Sequence, residues 1–130
     1  MPNLAGNLLK TACPLFVVAV LGSGCAGSRQ NSAFYTNGIY TTGHEVSSFK
    51  PCNSRVLYWA TLPDGAAQRL LALSRAKASR TRNPYPALYL SGRATLRSSK
   101  GEDGFANDYD AVITFLSVEE SNSEVPGSCK

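Results

Sequence analysis

Hydrophobic and polar positions change rhythm several times along the chain, and each rhythm predicts an element. From Phe34 to Phe49 the strand-favouring residues Phe34, Tyr35, Ile39, Tyr40, Thr41, Thr42, Val46 and Phe49 make one extended run, with Gly38 and Gly43 as bend or bulge points. Pro51-Cys52-Asn53-Ser54 is a turn cluster, and Arg55 to Thr61 reads as a second strand forming a hairpin with the first. After Pro63-Asp64-Gly65 the spacing becomes helical. Ala67, Leu70, Leu71 and Ser74 share one face of a short helix ending near Lys77, with Asp64 as N-cap and Arg75 and Lys77 suited to the C-terminus. Ala78 to Pro86 is polar, basic and broken by Pro84 and Pro86, which predicts a loop.

Beyond that loop the period returns to two. Leu88, Leu90, Gly92, Ala94 and Leu96 fall on one face of a strand, and Tyr89, Ser91, Arg93, Thr95 and Arg97 on the other. Ser98 to Gly104 is a loop, Asp110 to Val118 a nearly continuous apolar strand expected to be buried on both sides, and Glu119 to Lys130 a polar tail. The order is strand, strand, helix, strand, strand, the first long enough to bend into two. Four or five short antiparallel strands leave exposed edges unless the sheet closes. The expected fold is mainly β with one short helix: a small OB-like antiparallel barrel plugged at one end, with an open α+β sheet as the alternative.

The N-terminus carries a different pattern. Between Lys10 and Cys25 runs Thr-Ala-Cys-Pro-Leu-Phe-Val-Val-Ala-Val-Leu-Gly-Ser-Gly-Cys, an apolar stretch of signal-peptide length that is too short to span a bilayer as a helix. Its small-residue ending at Gly22-Ser23-Gly24 resembles the bacterial lipobox, although Leu21 lies four residues before the cysteine rather than three. The resemblance implies a signal peptide over 1–24, removed before Cys25, with lipid attached to the Cys25 thiol. Residues 25–33 become the lipidated cysteine and a short polar tether, and 34–130 the folded domain. Ala26, by resemblance to Gram-negative lipoproteins, implies the outer membrane, with the domain facing the periplasm.

The four cysteines fit this division. Cleavage removes Cys13 and lipidation uses Cys25, which leaves Cys52 and Cys129 as an even pair in an oxidising compartment. A bridge between them closes a loop of nearly the whole domain and is worth on the order of 4 kcal/mol in the chain-entropy account. The competing reading is a metal or redox role, without a Cys-x-x-Cys or histidine cluster to support it.

The stretch Gly38 to Ser54, followed by Tyr58-Trp59, resembles the OB-fold domain at the C-terminus of NlpE-type envelope lipoproteins, and Pro86 to Arg93 is similar to that family's strand ending in a glycine and a basic residue. The likeness covers roughly residues 34 to 129. It implies an envelope location and a disulfide between Cys52 and Cys129. The family's N-terminal barrel with its copper-linked Cys-x-x-Cys has no counterpart, so a copper-sensing role is not implied.

Charge and chemistry add little that is sharp. The formal net charge is +4, a mild basic excess. Arg69, Arg75, Lys77, Arg80 and Arg82 gather around the helix and the loop after it, and seven of the nine acidic residues lie between Glu102 and Glu124. That asymmetry suits an anionic lipid or glycan near the anchor. His44 and Glu45 are the one adjacent acid/base pair, expected to point to opposite faces of a strand. Asp108 and Asp110 share a strand face in this reading. No Walker, dinucleotide, zinc or nucleophile-elbow signature appears, so neither a cofactor nor an enzyme is expected. Tyr58, Trp59 and Tyr89 are of the type that stacks on nucleobases, but export argues against nucleic acid, and Trp59 is expected in the core. The function expected is a non-catalytic envelope lipoprotein that binds a protein, glycan or lipid partner or senses envelope stress. The alternative is a small enzyme acting on an envelope polymer.

Overall fold

The computed structural model describes residues 31–130; the signal segment, Cys13, Cys25 and most of the tether lie outside the described residues. Five strands form a closed barrel in the order β1-β2-β3-β5-β4. They are β1 (Phe34–Gly43), β2 (Val46–Pro51), β3 (Tyr58–Thr61), β4 (Leu88–Arg97) and β5 (Ala111–Asn122). One helix, α1 (Asp64–Thr81), joins β3 to β4, and a short 3-10 turn spans Gly104–Asp108. All neighbouring pairs are antiparallel except β3 with β5. Pairing of β1 with β4 from Phe34↔Ala94 to Tyr40↔Leu88 closes the sheet, so the open-sheet alternative does not apply.

Several expectations shift in detail. The run from Phe34 to Phe49 is not one bent strand but two, reversed at His44-Glu45 and registered from Gly38↔Pro51 to Gly43↔Val46. The hairpin expected between this run and Arg55–Thr61 survives only as two pairs between β2 and β3, Ser48↔Trp59 and Phe49↔Tyr58. Asp64 is the first helical residue rather than the cap. Pro63 occupies the cap, and its carbonyl accepts from Ala66 N (3.0 Å) and Ala67 N (2.9 Å). The helix continues past Lys77 to Thr81, because Ala78, Ser79 and Arg80 are all tolerated in a helix. Arg82, in the left-handed conformation, ends it just before Pro84. β5 extends to Asn122, beyond the expected Val118, because its polar end pairs with β4 out to Tyr89↔Asn122.

The core is the set of inward positions: Tyr40, Phe49, Ala60, Leu88, Leu90, Ala94, Ile113 and Phe115, sealed by Leu70 from α1. Phe49 and Phe115 meet edge to face at 5.0 Å. The predicted alternation of β4 holds, with its even positions facing in. Val112 and Ile113 of β5 are buried on both faces as expected, whereas Leu116, at a bulge against β4, is exposed. Two inward glycines permit the tight curvature. A Cβ on Gly38 would lie 2.8 Å from both Phe49 Cζ and Pro51 Cα, and one on Gly92 would run into the Ser117 carbonyl.

Strand directions give the barrel two unlike ends. At one end β1 begins, and the β2–β3 and β4–β5 connections lie there. At the other are the β1–β2 turn and α1. After β5 the chain runs outside β4 and β1 to reach the β2–β3 connection. There Cys129 is disulfide-bonded to Cys52, Asn53 N donates to Lys130 O (3.0 Å) and Cys52 N donates to Asn37 O (3.0 Å). This strap covers the outward side chains Tyr89 and Ser91, which are only 8% and 1% exposed.

Candidate functional site

Helix α1 lies across one barrel end, and along one edge it leaves a cleft against the β1–β2 turn. The inward stripe of the helix is Ala66, Leu70 and Ser74, with Leu73 half-buried beside it. Leu70 and Ser74 face inward as expected, while Ala66 is buried and Ala67 and Leu71, also expected on that face, are only half-buried. Ala67 and Leu71 thereby become the floor of the cleft instead of core. Two adjoining hollows of about 360 and 380 Å³ share Thr42, Gly43 and Leu71.

The first hollow is rimmed by His44, Arg75 and Pro84, the second by Glu45, Gln68 and Trp59. His44 and Glu45 form the two-residue turn between β1 and β2, so they lie together rather than on opposite strand faces. His44 Nε2 is 3.5 Å from Glu45 Oε1, and both side chains are exposed. Glu45 holds a φ of 60°, left-handed backbone that costs about 1–2 kcal/mol for a residue with a Cβ. Gly43, just before the turn, leaves room for the Tyr85 ring, whose Cδ1 would lie 2.7 Å from a Cβ there. That packing brings the α1–β4 connection, including Pro84, against the turn as the cleft's outer wall.

The basic cluster does not stay together. At about 100° per residue, Arg69 and Arg80 fall within about 20° of each other on one side of the helix, and Arg75 lies about 120° away at the cleft. Lys77 is drawn inward, its side chain only 15% exposed. Its Nζ donates to Ala87 O at 2.9 Å and to Ser123 O, tying α1 to the start of β4 and to the strap. It is therefore a structural cation rather than part of a binding patch. Arg80 is ion-paired with Glu124 at 3.3 Å, and Arg82 is the residue just past the helix. Of the basic residues singled out from sequence, only Arg75 lines the same hollow as His44, with Glu45 on the adjoining one.

On the outer wall, Trp59 leads away from the cleft. It stacks on Phe105 (centroids 6.5 Å) and meets Tyr109 at 5.5 Å, so it is a half-buried surface residue and not part of the core. Tyr58 packs against the core and Tyr89 lies under the strap, which leaves neither as a platform for bases. Asp110 is committed to structure, accepting from Leu57 N at 2.8 Å, and Asp108 ends the 3-10 turn rather than sharing a strand face with it.

Compared with known proteins, the chain matches no family model, no curated protein and no solved structure.

The arrangement suits binding better than bond-breaking. The serine nearest the turn, Ser47, donates to Ala60 O at 2.6 Å and lies 3.2 Å from Tyr40 OH, so its hydroxyl is already occupied. Cys52 and Cys129 are joined to each other and offer no thiolate. Among the described residues no group of three or more His, Cys, Asp or Glu could hold a metal ion. Nor is any described helix long and apolar enough to cross a membrane. What remains is an apolar-floored groove with a guanidinium, an imidazole, a carboxylate and an amide at its rim, which suits an extended ligand carrying polar groups beside an apolar segment. Sequence reasoning missed Gln68 and Thr42 as site residues and weighed Trp59 only as a stacking or core residue. A two-residue turn read at His44-Glu45, directly after a glycine, would have pointed to this end of the barrel.

Proposed function

We propose that the chain is a lipid-anchored binding protein of the bacterial cell envelope, acting through the cleft between α1 and the β1–β2 turn. The observation that carries this reading is the convergence of His44, Arg75 and Gln68 over an apolar floor, on a barrel whose other end bears the chain's entry point. The anchor rests on the lipobox-like residues around Cys25. It is supported by a disulfide between Cys52 and Cys129, a bond that persists in oxidising compartments. The likeness to NlpE-type C-terminal domains belongs to the same reading and is supported by the closed OB-like barrel. The partner class is an envelope protein or glycan with an apolar segment flanked by polar groups, an acidic one facing Arg75 and a hydrogen-bond donor facing Glu45.

A photo-crosslinking side chain introduced at Gln68 in the full chain, expressed in a bacterial envelope, tests the reading. A discrete adduct is expected there and not with the same group at Arg69, on the opposite flank of the helix. Arg75→Ala combined with His44→Ala should abolish that adduct. Equal labelling from both positions, or an adduct indifferent to the two substitutions, would sink the assignment of the cleft.

A further inference from the structure

Seven large apolar side chains are exposed among the described residues, and they are not scattered evenly. Five of them, Phe34, Tyr35, Val56, Leu57 and Phe105, belong to the end of the barrel where β1 begins. Phe34 and Tyr35 open β1, Val56 and Leu57 lie in the β2–β3 connection, and Phe105 sits in the β4–β5 connection. The two connections are joined through the Leu57–Asp110 hydrogen bonds, and Phe105 turns onto the flank of the barrel, where it stacks on Trp59. An apolar rim of this kind on a small domain marks a surface that is covered in use.

What covers it follows from where the chain arrives. Eight residues, Ala26 to Ala33, separate Cys25 from Phe34. They reach at most about 30 Å when fully drawn out. The helix end lies the length of β1 away, also about 30 Å. The apolar rim can therefore rest on a membrane with slack in the connection, whereas α1 reaches it only if the connection is stretched along the whole barrel. We propose that the rim formed by Phe34, Tyr35, Val56, Leu57 and Phe105 rests in the interfacial layer of the bilayer that holds the anchor, which points the α1 cleft away from the membrane. The inference rests on the anchored reading above, and it replaces the expectation that the basic helix lies near lipid. Aromatic and apolar side chains at headgroup depth drive the contact. The β4–β5 connection carries Glu102, Asp103, Asp108 and Asp110 against Lys100, so charge opposes the approach to anionic lipid and the apolar side chains alone must hold the contact.

The test uses the full acylated chain reconstituted in phosphatidylethanolamine–phosphatidylglycerol vesicles. With Cys25 acylated and Cys52 bonded to Cys129, a single added cysteine is the one free thiol for a nitroxide. Labels at Arg55→Cys and Lys100→Cys should show several-fold lower collision with a water-soluble nickel chelate, and higher collision with oxygen, than labels at Ser79→Cys and Arg82→Cys. The difference should persist at high salt. Adding Leu57→Asp with Phe105→Asp should return the rim labels to the chelate access of the helix labels, while vesicle flotation stays unchanged because the acyl chains hold the protein. Equal access at all four positions in vesicles that still float the chain would overturn the orientation and leave the anchor standing. Protection at Ser79 and Arg82 instead would show the helix docking and overturn it too. Loss of flotation together with an unmodified Cys25 mass would remove both readings.

Discussion

Replacing Cys52 and Cys129 together by serine should destabilise the domain more than any other pair of small changes. The bonded residues are 77 positions apart, and the loop they close contains every strand except β1 and β2. In the chain-entropy account, closing a loop of that length in the unfolded chain is worth about 4.5 kcal/mol. Small domains are commonly stable by about 5–15 kcal/mol, so the loss is a large fraction of the total. The bond also fixes the strap over Tyr89 and Ser91, so the variant should lose protection on the outer face of β4 before it unfolds globally. Trp59 is the one tryptophan of the chain and sits on β3, which makes its fluorescence in urea a direct report of barrel unfolding. With m about 1–1.5 kcal/mol per molar for a domain of this size, the midpoint should fall by about 3–4.5 M. The parent protein in reductant should coincide with the double variant, and reductant should not affect the variant further. A midpoint within about 0.5 M of the parent would refute the reasoning, because the bond would then constrain neither the unfolded chain nor the strap.

Gly92→Ala places a Cβ against the Ser117 carbonyl, 3.0 Å from Ser117 C and 3.1 Å from Val118 Cα, all backbone that cannot swing aside. A loss of about 2–3 kcal/mol is expected, read as a fall in thermal midpoint of about 10–20 °C. Lys77→Met keeps the length of the side chain but strips the donor from Ala87 O and Ser123 O, and should cost about 1–3 kcal/mol. Faster amide exchange at the start of β4 and in the strap would accompany it. Arg69→Met, on the exposed flank of the same helix, should stay within about 0.5 kcal/mol of the parent in the same urea titration.

Local pattern alone determined the class of each element. Strict alternation in Leu88–Arg97 marked β4 and its inward face, because a strand points successive side chains to opposite sides. The need to cover strand edges pointed to a closed barrel with a helical plug, and counting cysteines pointed to the bond between Cys52 and Cys129. Boundaries were less legible. Locally only Gly43 ahead of His44-Glu45 hints at the break between β1 and β2, and the left-handed backbone of Glu45 is imposed by the pairing of Gly43 with Val46. Helix α1 outran its apolar pattern because Ala78, Ser79 and Arg80 are tolerated in a helix, and Lys77, just before its last turn, is held by the carbonyls of Ala87 and Ser123, 10 and 46 residues away in sequence.

The candidate site depended on tertiary structure more heavily still. Five cations clustered in sequence become separate groups once the helix turns them about its axis and the barrel draws Lys77 inward, leaving Arg75 to share a hollow with His44 from a distant turn. The apolar rim is likewise assembled from the start of β1 and two connections that are far apart along the chain. Sequence periodicity records which side of an element is buried, since that depends on near neighbours in the chain. Which elements meet, and which ends of the barrel become cleft and rim, is decided by long-range strand pairing, and no local pattern carries that information.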